Sequence, residues 1–240
     1  MLTFRKGFKD GVPIALGYIS VAFAFGMLAV EKGLPLWSPI LLSISNFTGT
    51  GQFAGIDLIT SNAGLMEVAF TILVINIRYI LMSLSLSQKL VPDMPVWQRM
   101  VISFGNTDEI FGVCIRQKEP LSMRYMMGII LCAYSGWNLG TVLGVLAGTS
   151  LPPMVRSALG MALFAMFIAI IIPPARESGP ITKVIVLSVI LSCVLRFVPV
   201  LSEIGGGWRI IICGVISACL GAYFFPLSVK EENDMQEVSR

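Results

Sequence analysis

Four polar residues, Asn106-Thr107-Asp108-Glu109, interrupt an apolar segment that runs from Met100 to Ile115. Carboxylates at membrane depth are costly and rare, and they usually mark an ion path or a substrate contact. Removal from water favours the protonated form of a carboxyl group, so one of these acids could exchange a proton near neutral pH. Either acid could equally hold the ammonium group of a substrate. The alternative is that this segment lies at the membrane surface, where water covers both acids.

Arg78 is a second charged residue inside an apolar run. It lies near the middle of residues 64–87, where Glu67 is the only other charge, and Asn76 precedes it by two positions. An unpaired guanidinium at membrane depth is strongly unfavourable, so Arg78 needs an anionic partner. That partner is either one of the acids Asp108 and Glu109 or a substrate carboxylate bound through two hydrogen bonds.

The apolar run of residues 36–60 contains a polar, glycine-rich interruption. Glycine costs about 1 kcal/mol relative to alanine inside a helix. Broken backbone at membrane depth persists only where protein or a water-filled cavity satisfies its polar groups. The pattern predicts a helix break with a binding site at the half-helix ends, or else a continuous helix whose small residues permit close packing. The candidate residues are Asn46, Thr48, Gly49, Thr50, Gly51 and Gln52.

A weak internal repeat links two glycine-rich helices. Gly17-Tyr18, Gly26-Met27-Leu28-Ala29 and Leu34-Pro35 parallel Gly136-Trp137, Gly144-Val145-Leu146-Ala147 and Leu151-Pro152. Secondary transporters often contain such repeats, with the substrate site at the repeat interface. Tyr18, Trp137 and Asn138 are therefore candidates to line a cavity, and ordinary aromatic packing is the alternative.

The composition establishes the class of protein. Of 240 residues, 55% are hydrophobic and only 13% are charged, whereas soluble domains carry about 25% charged residues. The sequence predicts an all-α polytopic membrane protein with about six to eight membrane segments, some broken or re-entrant. Residues 1–229 are expected to form one transmembrane domain, followed by a polar, disordered cytoplasmic tail at 230–240. The clearest spans are 12–30, 64–87, 125–148, 154–173, 181–199 and 208–226.

The orientation follows from lysine and arginine. The positive-inside rule places both termini in the cytoplasm of an inner membrane. If segments 36–60 and 100–115 both return to their own side, Lys89 and Arg99 join the cytoplasmic basic residues, which the rule favours. The length of segment 36–60 favours a crossing instead.

Several classes of function are excluded or disfavoured. The chain has no histidine, no glycine-rich phosphate loop and no GxSxG motif, which argues against an ATP-driven pump and a hydrolase. Its five cysteines lack metal-site spacing, and its net charge of +3 includes no basic cluster suited to nucleic acid. We expect neither enzymatic activity nor a cofactor or metal.

Specific strings resemble the AzlC family of branched-chain amino acid permeases, also called azaleucine-resistance proteins. The resemblance covers residues 8–226, and its motifs occur in the family's order. The strings are Gly17-Tyr18, Ala24-Phe25-Gly26-Met27-Leu28-Ala29, Phe47-Thr48-Gly49-Thr50-Gly51-Gln52-Phe53, Leu73-Val74-Ile75-Asn76-Ile77-Arg78-Tyr79, Thr107-Asp108-Glu109-Ile110-Phe111 and Ala165-Met166-Phe167-Ile168-Ala169.

This resemblance implies export of leucine, isoleucine, valine and methionine across a bacterial inner membrane, together with a small AzlD-like membrane partner. Two positions depart from the family pattern. Gly49-Thr50-Gly51-Gln52-Phe53 stands where the family usually has Gly-Ser-Ala-Gln-Phe, and Tyr79 stands where it often has histidine. The first difference could alter pocket size, and the second removes any proton role of that histidine.

A zwitterionic substrate needs a contact for its carboxylate and another for its ammonium group. Half-helix N-termini near residues 46–52, or Arg78, could hold the carboxylate, and Asp108 or Glu109 the ammonium. Two other functions remain open on the sequence: a passive channel for small neutral solutes, and a structural subunit whose partner carries out transport.

Overall fold

The computed structural model describes residues 2–150, 178–199, 201 and 203–225, together with residues 152, 154, 168, 171, 172, 175 and 176. Most of the predicted span 154–173 and the whole 230–240 tail lie outside these residues. The described chain is helical and has no β-strand element. Its helices are α1 (Phe4–Glu31), α2 (Trp37–Ser45), α3 (Thr50–Thr60), α4 (Leu65–Ser87), α5 (Val96–Phe104), α6 (Asp108–Ile115), α7 (Met123–Ser150), α8 (Gly179–Phe197) and α9 (Gly206–Phe224).

Five of these helices, α1, α4, α7, α8 and α9, are long and apolar enough to cross a membrane. The structure therefore confirms an all-α polytopic membrane protein. The short helices α2, α3, α5 and α6 fall in the two segments that the sequence predicts to be broken or re-entrant.

The chain divides into two compact units. The first contains Met1–Phe53 and Asn76–Leu163, and the second contains Ala54–Ile75 and Phe164–Arg240. All candidate functional residues belong to the first unit.

Helices α1 and α7 form the centre of the first unit and run parallel at very close range. A Cβ on Gly7 would overlap the backbone carbonyl of Tyr125, and one on Gly144 would overlap that of Phe23. Contacts near the start of α1 thus fall near the start of α7, and later contacts follow in step. Glycine allows this approach because any larger residue would meet backbone atoms, which cannot move aside. The two repeat-like helices are therefore direct neighbours.

The segment after α1 forms a helical hairpin of α2 and α3. The backbone reverses between Ser45 and Thr50, so that the Gln52 amide Nε2 donates to Ser43 Oγ at 3.2 Å. Nine residues of continuous helix would separate these positions by about 13 Å. Phe47 contacts Tyr18, whereas Phe53 contacts Phe25, two turns further along α1. The segment therefore turns back toward the end of α1 at which it began.

Helices α5 and α6 form a second hairpin that comes from the other end of the unit. The ammonium of Lys89, before α5, lies 3.2 Å from the Gln117 carbonyl oxygen, after α6, and it also donates to the carbonyl of Ile115. Leu121 N–H donates to the Lys89 carbonyl at 2.8 Å. Both ends of this hairpin therefore lie together. The two hairpins are compatible with the scheme in which both segments return to the side from which they enter, the scheme that positive-inside counting favours.

In the second unit, the start of α4 is joined to the start of α9. The Glu67 carboxylate accepts a hydrogen bond from Gly207 N–H at 2.8 Å, which satisfies a backbone donor that a helix N-terminus otherwise leaves without a partner. Helices α8 and α9 pack against each other, with Gly221 facing Val184. This unit contains none of the predicted site residues.

Candidate functional site

The reversals of the two hairpins meet beside α1 and α7. We call residues 46–49 the first tip and residues 105–107 the second tip. The Tyr18 hydroxyl donates to the Glu109 carboxylate, and its oxygen lies 2.7 Å from Thr107 Oγ1, within hydrogen-bond distance. The Tyr18 ring lies edge-on to Phe47, with centroids 5.7 Å apart. Tyr18 thus joins both tips.

Trp137 completes an aromatic cluster at this point. Its ring centroid lies 5.4 Å from that of Tyr18 and 6.3 Å from that of Phe47, both in edge-to-face arrangements. Tyr18 and Trp137 follow the repeat glycines Gly17 and Gly136 on the parallel helices α1 and α7. The two repeat-like helices therefore contribute residues from matching repeat positions to one candidate site.

The first tip has a backbone that requires glycine. Gly49 has φ of +51°, in the left-handed region, where an ordinary L-residue costs roughly 1–2 kcal/mol. A Cβ on Gly51 would lie only 2.7 Å from Thr48 Oγ1 and 3.4 Å from the Asn76 amide. Tyr79 secures the tip, because its hydroxyl donates to the Thr48 carbonyl at 3.2 Å. The predicted break is confirmed over residues 46–49, while Thr50, Gly51 and Gln52 form the first turn of α3.

The second tip is an N-capped helix start, which the sequence reasoning missed. The sequence predicts that residues 100–115 are re-entrant or buried in the helix bundle, without locating a break. In the structure, α5 begins at Val96, ends at Phe104 and is followed by a break at residues 105–107. Thr107 caps α6 through its side chain, which accepts from Ile110 N–H, and Asp108 and Glu109 occupy the first turn. A capping threonine followed by two acids is a recognisable helix-start signal.

Arg78 has a carboxylate partner. Its guanidinium Nη1 lies 2.8 Å from Asp108 Oδ2, and each side chain keeps 43% of its accessible surface. Of the two partners predicted for Arg78, the structure shows the acid. The pair is not enclosed by this chain, so it lies at the open side of the site. Arg78 pairs with Asp108, so the positive and negative charges of these two side chains offset each other. Glu109 is then the acid that Arg78 does not pair.

A buried hydroxyl cluster supports the first hairpin. Ser43 Oγ and Thr141 Oγ1 are 2.8 Å apart, and both side chains are fully buried. Thr141 Oγ1 also donates to the Trp137 carbonyl at 3.1 Å. The sequence reasoning did not single out Ser43 or Thr141. The available signal was their polarity within apolar helices, which many serines and threonines in this chain share.

Six buried polar atoms in the first unit have no hydrogen-bond partner among the described residues. All belong to predicted candidates: Thr48 Oγ1, Gln52 Oε1, Asn76 Oδ1, Asn106 Oδ1, Trp137 Nε1 and Asn138 Oδ1. A buried polar group without a partner costs about 1–3 kcal/mol. Five of the six are acceptors only or can act as acceptors, which suits a ligand that carries N–H donors.

Some candidates do not reach the meeting point of the tips. Asn138 Nδ2 donates to the Tyr134 carbonyl one turn earlier in α7, at 2.9 Å. Asn76 lies beside Gly51, and Asn106 Nδ2 donates to Ser83 Oγ on α4 at 3.0 Å. Asn46 is partly exposed and Thr50 is exposed. The shared centre consists of Tyr18, Trp137, Gly49, Thr107 and Glu109, with the Arg78–Asp108 pair at its open side.

These features define a polytopic helical membrane protein in which two helical hairpins meet at an aromatic and acidic site. A sequence profile described as "AzlC protein" matches residues 13–151, more than half of the chain. The chain belongs to the AzlC family.

The chain is similar to membrane proteins from several organisms, including these three. It is 28% identical to "Inner membrane protein YgaZ" of Escherichia coli over 92% of each chain. It is 38% identical to an uncharacterized membrane protein of Archaeoglobus fulgidus, over 71% of this chain and 75% of that one. It is 24% identical to "Branched-chain amino acid transport protein AzlC" of Bacillus subtilis, over 70% of this chain and 66% of that one. No solved structure matches.

Proposed function

We propose that this protein is the large subunit of a secondary transporter that exports branched-chain amino acids, with a small AzlD-like membrane protein as its partner. The observation that carries the proposal is the meeting of the two tips at Tyr18 and Trp137, within a family whose Bacillus subtilis member is a branched-chain amino acid transport protein. We further propose that both termini lie in the cytoplasm.

The two tips offer the two contacts that a zwitterion needs. Helix α3 begins at the first tip without an acid in its first turn, so its partial positive charge can attract the substrate carboxylate. Helix α6 begins at the second tip with two acids, of which Arg78 pairs one. Glu109 then remains to bind the substrate ammonium, in competition with its hydrogen bond from Tyr18.

The aromatic cluster supplies the apolar part of the site. Phe47, Tyr18 and Trp137 are all buried and lie edge-to-face. An aliphatic side chain of four or fewer carbons beyond Cα can pack against such rings with a gain of about 0.8 kcal/mol per buried CH₂.

The first experiment compares efflux from cells loaded with leucine- or valine-containing dipeptides. Cells carry this chain alone, this chain with its candidate small partner, or neither, and free amino acid is followed inside and outside. We expect faster efflux only when both proteins are present. Unchanged efflux in all strains, with the protein shown to be in the membrane, would remove the branched-chain assignment.

Site variants distinguish a transporter from an assembly subunit. Asp108→Asn, Arg78→Ala and Gln52→Ala should lower efflux while the complex with the partner still assembles, as checked by co-purification. If efflux persists wherever the complex forms, the partner carries the transport. Efflux that neither saturates with internal leucine nor responds to an ion gradient would indicate a passive channel instead.

A further inference from the structure

A cavity of about 210 Å³ lies between the second half of α4 and helix α5, within the first unit, and reaches the second tip at one end. Its apolar lining comes from both helices and the connection between them: Leu86, Leu90, Val96, Met100 and Ile102. Ligand pockets for drug-sized molecules measure about 300–1,000 Å³, so this cavity suits something smaller. Its small volume and apolar wall suit a small molecule with an aliphatic group.

The polar lining of the cavity includes a cation. Arg99 donates from Nε to the Met94 carbonyl at 3.1 Å and from Nη2 to the Pro92 carbonyl at 3.4 Å. Those bonds use only part of its five N–H donors. Among the residues that the structure describes, no carboxylate pairs with Arg99. The remaining N–H groups can bind a carboxylate through a charge-assisted hydrogen bond.

A residue of the second tip, Asn106, forms the inner end of the cavity wall. Asn106 lines the cavity and is 4% exposed. Its Nδ2 donates to Ser83 Oγ, also in the wall, while its Oδ1 has no partner in the described chain. The next residue, Thr107, is hydrogen-bonded to the Tyr18 hydroxyl at 2.7 Å. The cavity therefore ends one residue from the site where the tips meet.

We propose that this cavity is an access site, which binds a free aliphatic amino acid before it reaches the two tips. Arg99 attracts the carboxylate at the outer end, and Asn106 Oδ1 accepts from the ammonium at the inner end, so the two act in succession. The aliphatic side chain lies against the apolar wall throughout. This inference rests on the proposed amino acid transport and assigns to it a second binding position.

The test uses cysteine accessibility in the full chain with its partner, reconstituted in lipid. The five natural cysteines are first replaced by alanine, and Ser103→Cys then places a thiol in the cavity wall. Val101→Cys is the matched control, because Val101 lies on the same helix, is exposed and does not line the cavity. L-leucine should slow maleimide labelling of Ser103→Cys several-fold and leave labelling of Val101→Cys unchanged. Glutamate should have no effect on either variant.

Each contrary outcome has a definite meaning. If leucine leaves labelling of Ser103→Cys unchanged while that variant still exports leucine, the access site is overturned and the proposed function stands. Equal slowing of both variants also overturns it, because leucine would then act on the whole helix. If Ser103→Cys does not assemble, Ser87→Cys in the same wall replaces it. If the unaltered protein with its partner does not export leucine, the proposed function itself is overturned.

Discussion

The two hairpins have the same architecture but opposite electrostatics. Each consists of two short helices separated by a break, and each second helix begins near Tyr18 or Trp137. Helix α3 starts with Thr50-Gly51-Gln52, which carries no charge, whereas α6 starts with Asp108 and Glu109. A helix N-terminus has roughly half a positive elementary charge. That charge is left available at the first tip, and at the second it is opposed by two carboxylates.

This difference supports the proposed binding of a zwitterion, in which each hairpin start would contact one end of the substrate. The neutral start of α3 suits an anion, and the acidic start of α6 suits a cation. Arg78 pairs with Asp108, so Glu109 alone remains to bind the single ammonium group of the proposed substrate.

The largest effect is expected from Glu109→Gln. The change removes the charge that would hold the substrate ammonium but keeps a side chain able to hydrogen-bond Tyr18. Because a hydrogen bond to a charged group contributes about 1.5–3 kcal/mol, leucine efflux should fall by roughly tenfold or more at equal membrane abundance. Near-normal efflux by Glu109→Gln would show that the acidic tip is not the cation contact.

An intermediate effect is expected when the neutral tip is given an acid. Thr50→Glu places a carboxylate in the first turn of α3 at an exposed position, where it stabilises the helix by about 0.3–1 kcal/mol but repels a substrate carboxylate. The internal leucine concentration for half-maximal efflux should rise, with thermal stability retained. Thr50→Gln is the matched control and should behave like the unaltered protein. Equal behaviour of the two variants would place the carboxylate elsewhere.

The smallest effect concerns the backbone of the first tip. Gly49 is in the left-handed region, so Gly49→Ala should lower stability by about 1–2 kcal/mol. Gly49→Asn should lower it less, because Asn tolerates this conformation. Thermal unfolding of the purified protein measures both changes. An alanine variant as stable as the unaltered protein would mean that the first tip is not held in this conformation.

Part of the site was predictable because its signals are local. Polar and glycine residues within residues 36–60 predicted the break, and an arginine among apolar residues predicted an ion-pair partner. The second break was missed, although Gly105, Thr107 and the two acids are helix-end and helix-start signals. Residues 100–115 are apolar but too short to cross a membrane, so the sequence did not distinguish a re-entrant segment from one at the membrane surface. Ser43 and Thr141 had no distinguishing local signal, and only their mutual contact marks them.

Composition and local pattern alone determined the membrane class, the helical character and the presence of a break, because hydrophobicity and helix propensity act over a few turns of chain. The sequence left open whether the two broken segments turn back, and the tertiary structure decided that each forms a hairpin and which residues meet. Tyr18 contacts Glu109, and Ser43 contacts Thr141, across more than ninety positions each. Such contacts depend on the close parallel packing of α1 and α7, which brings segments distant in sequence together. A local sequence pattern covers only a few turns and cannot show which distant residues will be neighbours.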